Sequence, residues 1–121
     1  MLIGIFSDAH GHIDGFCRAR DLLYSYGVRK FFYLGDAVGY IPLASVVHEL
    51  RNESHILSLR GNHEDMLLTN QPGERDDKDL YQHHIVRDLL DENDLTFLSM
   101  LPTSRSEQID GLRLLFVHGS P

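Results

Sequence analysis

Four short apolar runs, "LIGIF" (2–6), "FFYL" (31–34), "HILSL" (55–59) and "LLFV" (114–117), restrict the fold of this chain more than any other feature. Three of them are near-continuous rather than alternating, the pattern of core strands covered on both faces. Helical periodicity fills the gaps between the first three. Ile13, Phe16, Leu23 and Tyr26 recur at about helical spacing, and Leu43, Val46, Val47 and Leu50 follow the i, i+3, i+4, i+7 rule with Pro42 suited to the first turn. Strand, helix, strand, helix, strand predicts parallel pairing with right-handed crossovers, hence an α/β fold.

At 121 residues the chain has room for one core and hardly two, since domains commonly run about 100 to 150 residues. Residues 1–121 therefore read as one domain. After the third run, Gly61 can open a helix at 63–68. The stretch "TNQPGERDDKD" (69–79) combines Pro, Gly and charges and reads as an exposed loop, its acidic run 74–79 at the surface. Beyond it, Tyr81, Ile85 and Leu89 give another helical face, and "NDLTFLSMLP" offers Asp94 as the cap of a short helix stopped by Pro102. In "SEQIDGLRLLFV", Asp110-Gly111 between two extended stretches signals a two-residue hairpin turn.

Acidic residues outnumber basic ones 18 to 11, the formal net charge is −7, and no Lys/Arg cluster stands out. Neutralising phosphates needs grouped positive charge, so the composition argues against a nonspecific nucleic-acid surface. A bound divalent cation would offset part of the acidity. Cys17 is the only cysteine, which rules out an internal disulfide and fits a reducing compartment. The amino terminus "MLIGIFSDAHGHID" breaks at Ser7 and Asp8, too soon for a signal-peptide core or a spanning helix, so a cytoplasmic protein with no membrane partner is expected.

The polar residues after each run carry the functional signal: "SDAH", "GDAVG", "RGNHE" and "HGSP". Taken singly they are ordinary. Asp8-x-His10 in a polar turn reads as an Asx turn, Gly35-Asp36 as a turn pair, and His118 as a histidine at a strand end. Four such signals in order, each after an apolar run, read differently, because ligands of α/β sheets gather at the carboxyl ends of the strands. Asp8, His10, Asp36, Asn62, His63 and His118 can thus meet. Carboxylate, imidazole and amide oxygen together suit Mn²⁺, Fe²⁺ or Zn²⁺ more than Ca²⁺, and the two oxygens of Asp36 can bridge two ions. Two ions about 3.5 to 4 Å apart lower the pKa of a bridging water and clamp a phosphoryl group, which is the chemistry of phosphoester hydrolysis by a metal-bridging hydroxide.

These residues resemble the calcineurin-like metallophosphoesterases. The family's blocks, Asp-x-His, Gly-Asp-x-x-Gly, Gly-Asn-His-Asp/Glu and a later His-Gly, match "DAH", "GDAVG", "GNHE" and "HG", in order along the whole chain. The resemblance implies that Asp8, His10 and Asp36 hold one metal, that Asp36, Asn62 and His118 hold the second, and that His63 is the general acid for the leaving oxygen. It implies the amino-terminal part of a four-layer α/β/β/α sandwich, and a phosphomonoester or phosphodiester as substrate. The second block continues "GDAVGY" rather than with an Asp-Arg pair, which points to the small bacterial and archaeal phosphoesterases and away from protein phosphatases. A non-catalytic metal- or partner-binding module on the same fold is the alternative.

The family ends its site with a Gly-His-x-His block, and this sequence stops at Pro121. On the resemblance each metal then lacks one histidine, the second sheet is largely missing, and phosphatase activity of this form is expected to be weak or absent. An apolar face and strand edge near "LLFV" would be exposed, so a homodimer or higher oligomer built on the hairpin at 104–117 is expected. Arg60 is a candidate contact for a substrate phosphate, with a surface ion pair as its other reading. His12 reads as an exposed loop residue, His48 as helix surface, His55 as strand entry, Tyr40 as surface, and His83 and His84 as solvated or partly packed helix residues.

Overall fold

A computed structural model describes residues 1–69 and 80–120. Ten elements follow in order: β1 (Ile3–Phe6), α1 (Ile13–Ser25), β2 (Lys30–Tyr33), α2 (Ser45–Asn52), β3 (Ile56–Ser58), α3 (Asn62–Thr69), α4 (His83–Leu89), α5 (Glu92–Met100), β4 (Ser104–Ile109) and β5 (Leu112–Val117). The first three strands form one parallel sheet in the order β1-β2-β3, as the alternation of strands and helices predicts. The expected loop over 69–79 lies, apart from Thr69 at the end of α3, outside the described residues, as does the acidic run.

Strand β2 explains how the layers stack. Successive side chains of a strand point to opposite faces. Phe31 and Tyr33 enter the main core with Phe16 of α1, Val46, Val47 and Leu50 of α2, Leu67 of α3, Val86 of α4 and Leu98 of α5. Phe32 points the other way, into a smaller cluster with Leu59, Ile109 and Phe116. Its ring stacks on Phe116 at a centroid distance of 4.1 Å and an angle of 14°. The hairpin of β4 and β5 is thus a second sheet laid against the far face of the first.

The fourth apolar run departs from the expected core strand. It pairs antiparallel with β4 through a turn at Asp110 and Gly111, whose φ values of +50° and +81° are those of a two-residue hairpin. Local pairing across that turn takes precedence over joining the parallel sheet. Only Phe116 of β5 is buried, while Leu115 is 57% exposed. Ile5 in β1 is also open, so the near-continuous runs are not covered on both faces along their whole length.

Three other expectations need correction. Pro42 lies before α2 rather than in its first turn, because Leu43 N–H bonds back to the Ile41 carbonyl and the helix begins only after Ala44. Tyr26 sits beyond the end of α1 and is exposed, so the helix packs through Ile13, Phe16, Cys17 and Leu23. The face of α4 is also different: Ile85 and Leu89 are exposed, whereas His83 and Val86 are buried. That helix starts at His83, after Gln82 at φ +59°, so Tyr81 does not belong to its periodicity.

The cap of α5 is Asp91, not Asp94. Asp91 accepts from Asp94 N–H (2.7 Å) and Asp94 accepts from Asp91 N–H (3.1 Å), a reciprocal capping box. Asp94 is buried and also receives Arg51 Nη1 at 2.8 Å and faces His48 Nε2 at 3.2 Å, tying α5 to α2. Burial alone would push its carboxyl up, but the Arg51 bond, the Asp91 amide and His48 together hold it below the usual range. A depressed folded pKa gives stability that is present above the unfolded value near 3.9 and lost as pH falls through the folded value. Asp94→Ala is expected to cost about 1–3 kcal/mol in urea denaturation at pH 7. The gap from wild type should narrow below about pH 4; an unchanged gap in acid would assign the effect to packing alone.

Candidate functional site

The loops that follow β1 and β2 continue the pairing of their strands. Leu34 N–H donates to the Phe6 carbonyl (2.9 Å), then Asp8 N–H to Gly35 (2.9 Å), His10 N–H to Asp36 (3.0 Å) and Gly11 N–H to Ala37 (2.9 Å). The buried Tyr33 hydroxyl adds a cross-link, accepting from Ala9 N–H (2.9 Å) and donating to the Asp36 carbonyl (3.1 Å). Burial drives this hydroxyl's pKa far up, so it stays a proton donor. This network holds Asp8, His10 and Asp36 at φ of +59°, +47° and +61°, the left-handed region that side chains other than glycine's enter at a cost of about 1–3 kcal/mol each. The strain turns their side chains toward one point.

Asp36 is the centre of that point and is buried. Its Oδ2 lies 3.7 Å from His10 Nε2 and 3.2 Å from His118 Nε2, and Asp8 Oδ1 is 3.4 Å from His10 Nε2. Each imidazole is held from behind: His10 Nδ1 donates to the Val38 carbonyl at 2.9 Å and His118 Nδ1 to the Leu34 carbonyl at 2.7 Å. A carbonyl can only accept, so Nδ1 carries the proton in both rings and Nε2 presents a lone pair to Asp36. That is how metal-binding histidines are oriented by their outer partners.

Asn62, at the start of α3, supplies the test of fit. Its amide oxygen faces only acceptors, and turning the amide over would let the nitrogen donate to His118 Nε2 (3.0 Å) and to Asp36 Oδ1 and Oδ2 (3.2 and 3.0 Å). Without a cation the turned amide is favoured, whereas a cation here would take the amide oxygen beside the Asp36 carboxylate and the His118 lone pair. The donor set therefore fits a divalent ion. Among the described residues, two groups of side chains have their ligand atoms within 4.8 Å of one another, namely Asp8, Asp36 and His118, and His10, Asp36 and His63. Asp36 belongs to both, as a bridging carboxylate would, although the division differs from the one the resemblance implies.

His63 is buried in the first turn of α3, where its backbone N–H donates to Asp36 Oδ1 (3.0 Å). Burial lowers the pKa of its ring, with the Asp36 carboxylate opposing. Rings surround it: His10 at a centroid distance of 5.0 Å, Tyr81 at 4.9 Å and Tyr40 at 5.3 Å. A side chain at Gly39, itself at φ +102°, would put its Cβ 2.5 Å from His63 Nδ1, so only glycine fits behind the ring.

Sequence reasoning passed over two residues here. Glu64 is buried and accepts from Asp36 N–H (2.7 Å), Gly61 N–H (2.9 Å) and Val38 N–H (3.3 Å), joining the loops after β2 and β3. Its pKa is raised by burial, against the pull of those amide donors. His83 is 1% exposed, contrary to the solvated or partly packed residue expected, and its Nε2 lies 3.0 Å from His63 Nδ1. Tyr40 is partly exposed but is also a wall of the site, its N–H bonded to the Tyr81 carbonyl at 2.9 Å.

Arg60 is engaged elsewhere: Nη1 donates to the carbonyls of Ser99 (2.8 Å) and Leu101 (3.1 Å), and Nε pairs with Asp65 at 2.6 Å. The ion-pair reading of this residue is what the structure contains. His12 caps α1 by accepting from Gly15 N–H (2.8 Å), while His55 is exposed beside Phe31.

The family model of the calcineurin-like phosphoesterase superfamily domain matches residues 1–121. The chain belongs to this superfamily. A similar protein, uncharacterized, from Methanocaldococcus jannaschii is 27% identical over 126 residues, covering 99% of this chain and 50% of its own length. Among solved structures, a hypothetical protein from Pyrococcus horikoshii superposes with a TM-score of 0.76 at 18% identity over 99% of this chain and 56% of that one. A metallophosphoesterase from Sphaerobacter thermophilus gives 0.67 at 24% identity, over 85% and 42%. The calcineurin-like phosphoesterase chain thus spans about half the length of the relatives it matches, and its fold is that of the metallophosphoesterases. The superfamily is generally hydrolytic, of the phosphoesterase type, and typically binds divalent metals, and this member carries His/Asp groups able to hold one. Among its described residues no helix is long and apolar enough to cross a membrane.

Proposed function

We propose that the protein is a divalent-metal-dependent phosphoesterase acting on a phosphomonoester or phosphodiester. Asp8, His10, Asp36, Asn62 and His118 are its metal ligands and His63 is its proton donor. The observation that carries this reading is the convergence of two carbonyl-held imidazoles and the Asn62 amide on the Asp36 carboxylate. Mixed nitrogen and oxygen donors favour Mn²⁺, Fe²⁺ or Zn²⁺. Such ions supply Lewis acidity toward a phosphoryl oxygen and a water of lowered pKa.

The chain's own residues do the rest. Asp36 would be the ligand shared between the ions, and the carbonyls of Val38 and Leu34 stop the ligand rings from turning. Asp8 is half-exposed, so the cluster is open on its side to a substrate. The ring of His63 stands beside His10 and Asp36, at the edge where a leaving oxygen would emerge, and donates it a proton.

Reconstitution tests the reading. Protein stripped with chelator is expected to hydrolyse neither p-nitrophenyl phosphate nor bis-p-nitrophenyl phosphate, and added Mn²⁺ should restore turnover in proportion to the metal bound. Full metal loading with no hydrolysis of a panel of mono- and diesters would replace this reading with a non-catalytic binding module on the same fold.

A further inference from the structure

The contact between two buried imidazoles, His63 Nδ1 and His83 Nε2 at 3.0 Å, is used by nothing described so far. The geometry points to His83 as the positioning residue of His63: its Nε2 accepts the Nδ1–H of His63 and so fixes the ring that delivers Nε2 to the metal-ligand cluster. This inference rests on the phosphoesterase reading for its catalytic meaning, but the pairing itself does not.

The direction of the bond follows on three grounds. First, His10 and His118 already show the pattern, each with Nδ1–H engaged from behind and Nε2 turned to Asp36. His63 is the third imidazole of the cluster, and His83 stands where the other two have a backbone carbonyl. Second, the role of proton donor demands it. An imidazolium carries protons on both nitrogens, so when Nε2 is to be given up, Nδ1–H must already have an acceptor, and a lone pair on His83 Nε2 is the group in reach. As a water oxygen forms its bond to phosphorus and the bond from phosphorus to the ester oxygen breaks, the proton leaves Nε2 for that departing oxygen, and His63 is left neutral with its Nδ1–H bond to His83 unchanged. Third, the pair is built into the fold. Gly39 leaves no room behind the His63 ring, Tyr81 packs on both imidazoles at 4.9 and 5.5 Å, and Tyr40 N–H ties residue 81 to the loop after β2. His83 heads α4, so the placement of that helix sets the angle of the ring.

The alternative bond, His83 Nε2–H donating to a bare His63 Nδ1, would leave the neutral ring protonated on Nε2. Such a ring can offer a hydrogen bond but cannot bind metal through Nε2 or pass on a proton while keeping its bond to His83. The two arrangements therefore differ in an observable atom.

Long-range ¹H–¹⁵N imidazole spectra of the labelled, metal-free full chain are the primary test. His63 is expected as the Nδ1–H tautomer and His83 with an unprotonated Nε2; the reverse assignment would overturn the proposal. In His83→Leu, which has no acceptor, His63 should populate both tautomers, whereas His83→Gln, whose amide oxygen can accept, should keep it fixed. An unaltered His63 tautomer in the leucine variant would also overturn it. With Mn²⁺ added, His83→Leu should lower kcat for an alkyl phosphodiester on the order of 10-fold or more with KM little changed, and the glutamine variant should recover most of that loss. Equal losses in both variants, or a loss confined to KM, would reduce His83 to packing. A fixed tautomer in a protein that turns over no ester would overturn the phosphoesterase reading and leave the pairing supported.

Discussion

Asp36→Asn is expected to empty the site of metal while leaving the fold in place. The substitution keeps the side chain's shape and one of its oxygens, so the bond from His63 N–H to Oδ1 can survive. What it removes is the negative charge and the second oxygen, on which the Nε2 atoms of His10 and His118 both converge. Loss of an outer partner of a metal ligand already costs about 10- to 100-fold in affinity, and loss of the shared ligand should cost more. Elemental analysis and calorimetric titration with Mn²⁺ should show the drop beside His12→Ala, which removes an imidazole from the same loop but only a helix cap from the structure. Equal metal content in the two variants would remove Asp36 from the site.

The strand ends were readable because their signals are local. Glycine, aspartate and histidine after an apolar run cannot continue a buried strand, whatever the rest of the chain does, and the structure brings those residues of four loops to Asp36. The Asp110-Gly111 hairpin was equally local, since φ values of +50° and +81° are what that dipeptide tolerates. Helix existence followed from periodicity, but helix ends did not. Pro42, Asp94 and Tyr81 are each plausible in a first turn, and the true starts depend on loop hydrogen bonds and a capping box that no single residue announces.

The residues that sequence reasoning passed over are those whose partners lie on another element. Glu64 in a helix's first turn looks like an ordinary acidic residue facing the helix dipole. Its burial makes sense only once the amides of Asp36 and Val38 are known to stand beside it. His83 and His84 are adjacent, and the pattern around them does not tell which one turns inward; the φ of +59° at Gln82 and the contact with His63 decide it. Arg60 is hard to read for the converse reason. Its place beside Gly61 made it look functional, while the carbonyls that occupy it belong to residues 99 and 101.

His63→Asn should separate chemistry from binding. Metal content is expected to stay near that of wild type, because Asp36, His10, His118 and Asn62 keep their mutual contacts, while turnover of an ester with a poor, alkyl leaving group falls on the order of 10² to 10⁴-fold. A nitrophenolate needs little proton help as it departs, so the same substitution should cost far less with bis-p-nitrophenyl phosphate. The contrast between the two esters is the diagnostic, since a general disturbance of the site would slow both alike. Should metal content fall together with turnover, His63 would be a ligand, as its grouping with His10 and Asp36 permits. Undiminished turnover of the alkyl ester would leave the ring a packing role among Tyr40, Tyr81 and His83.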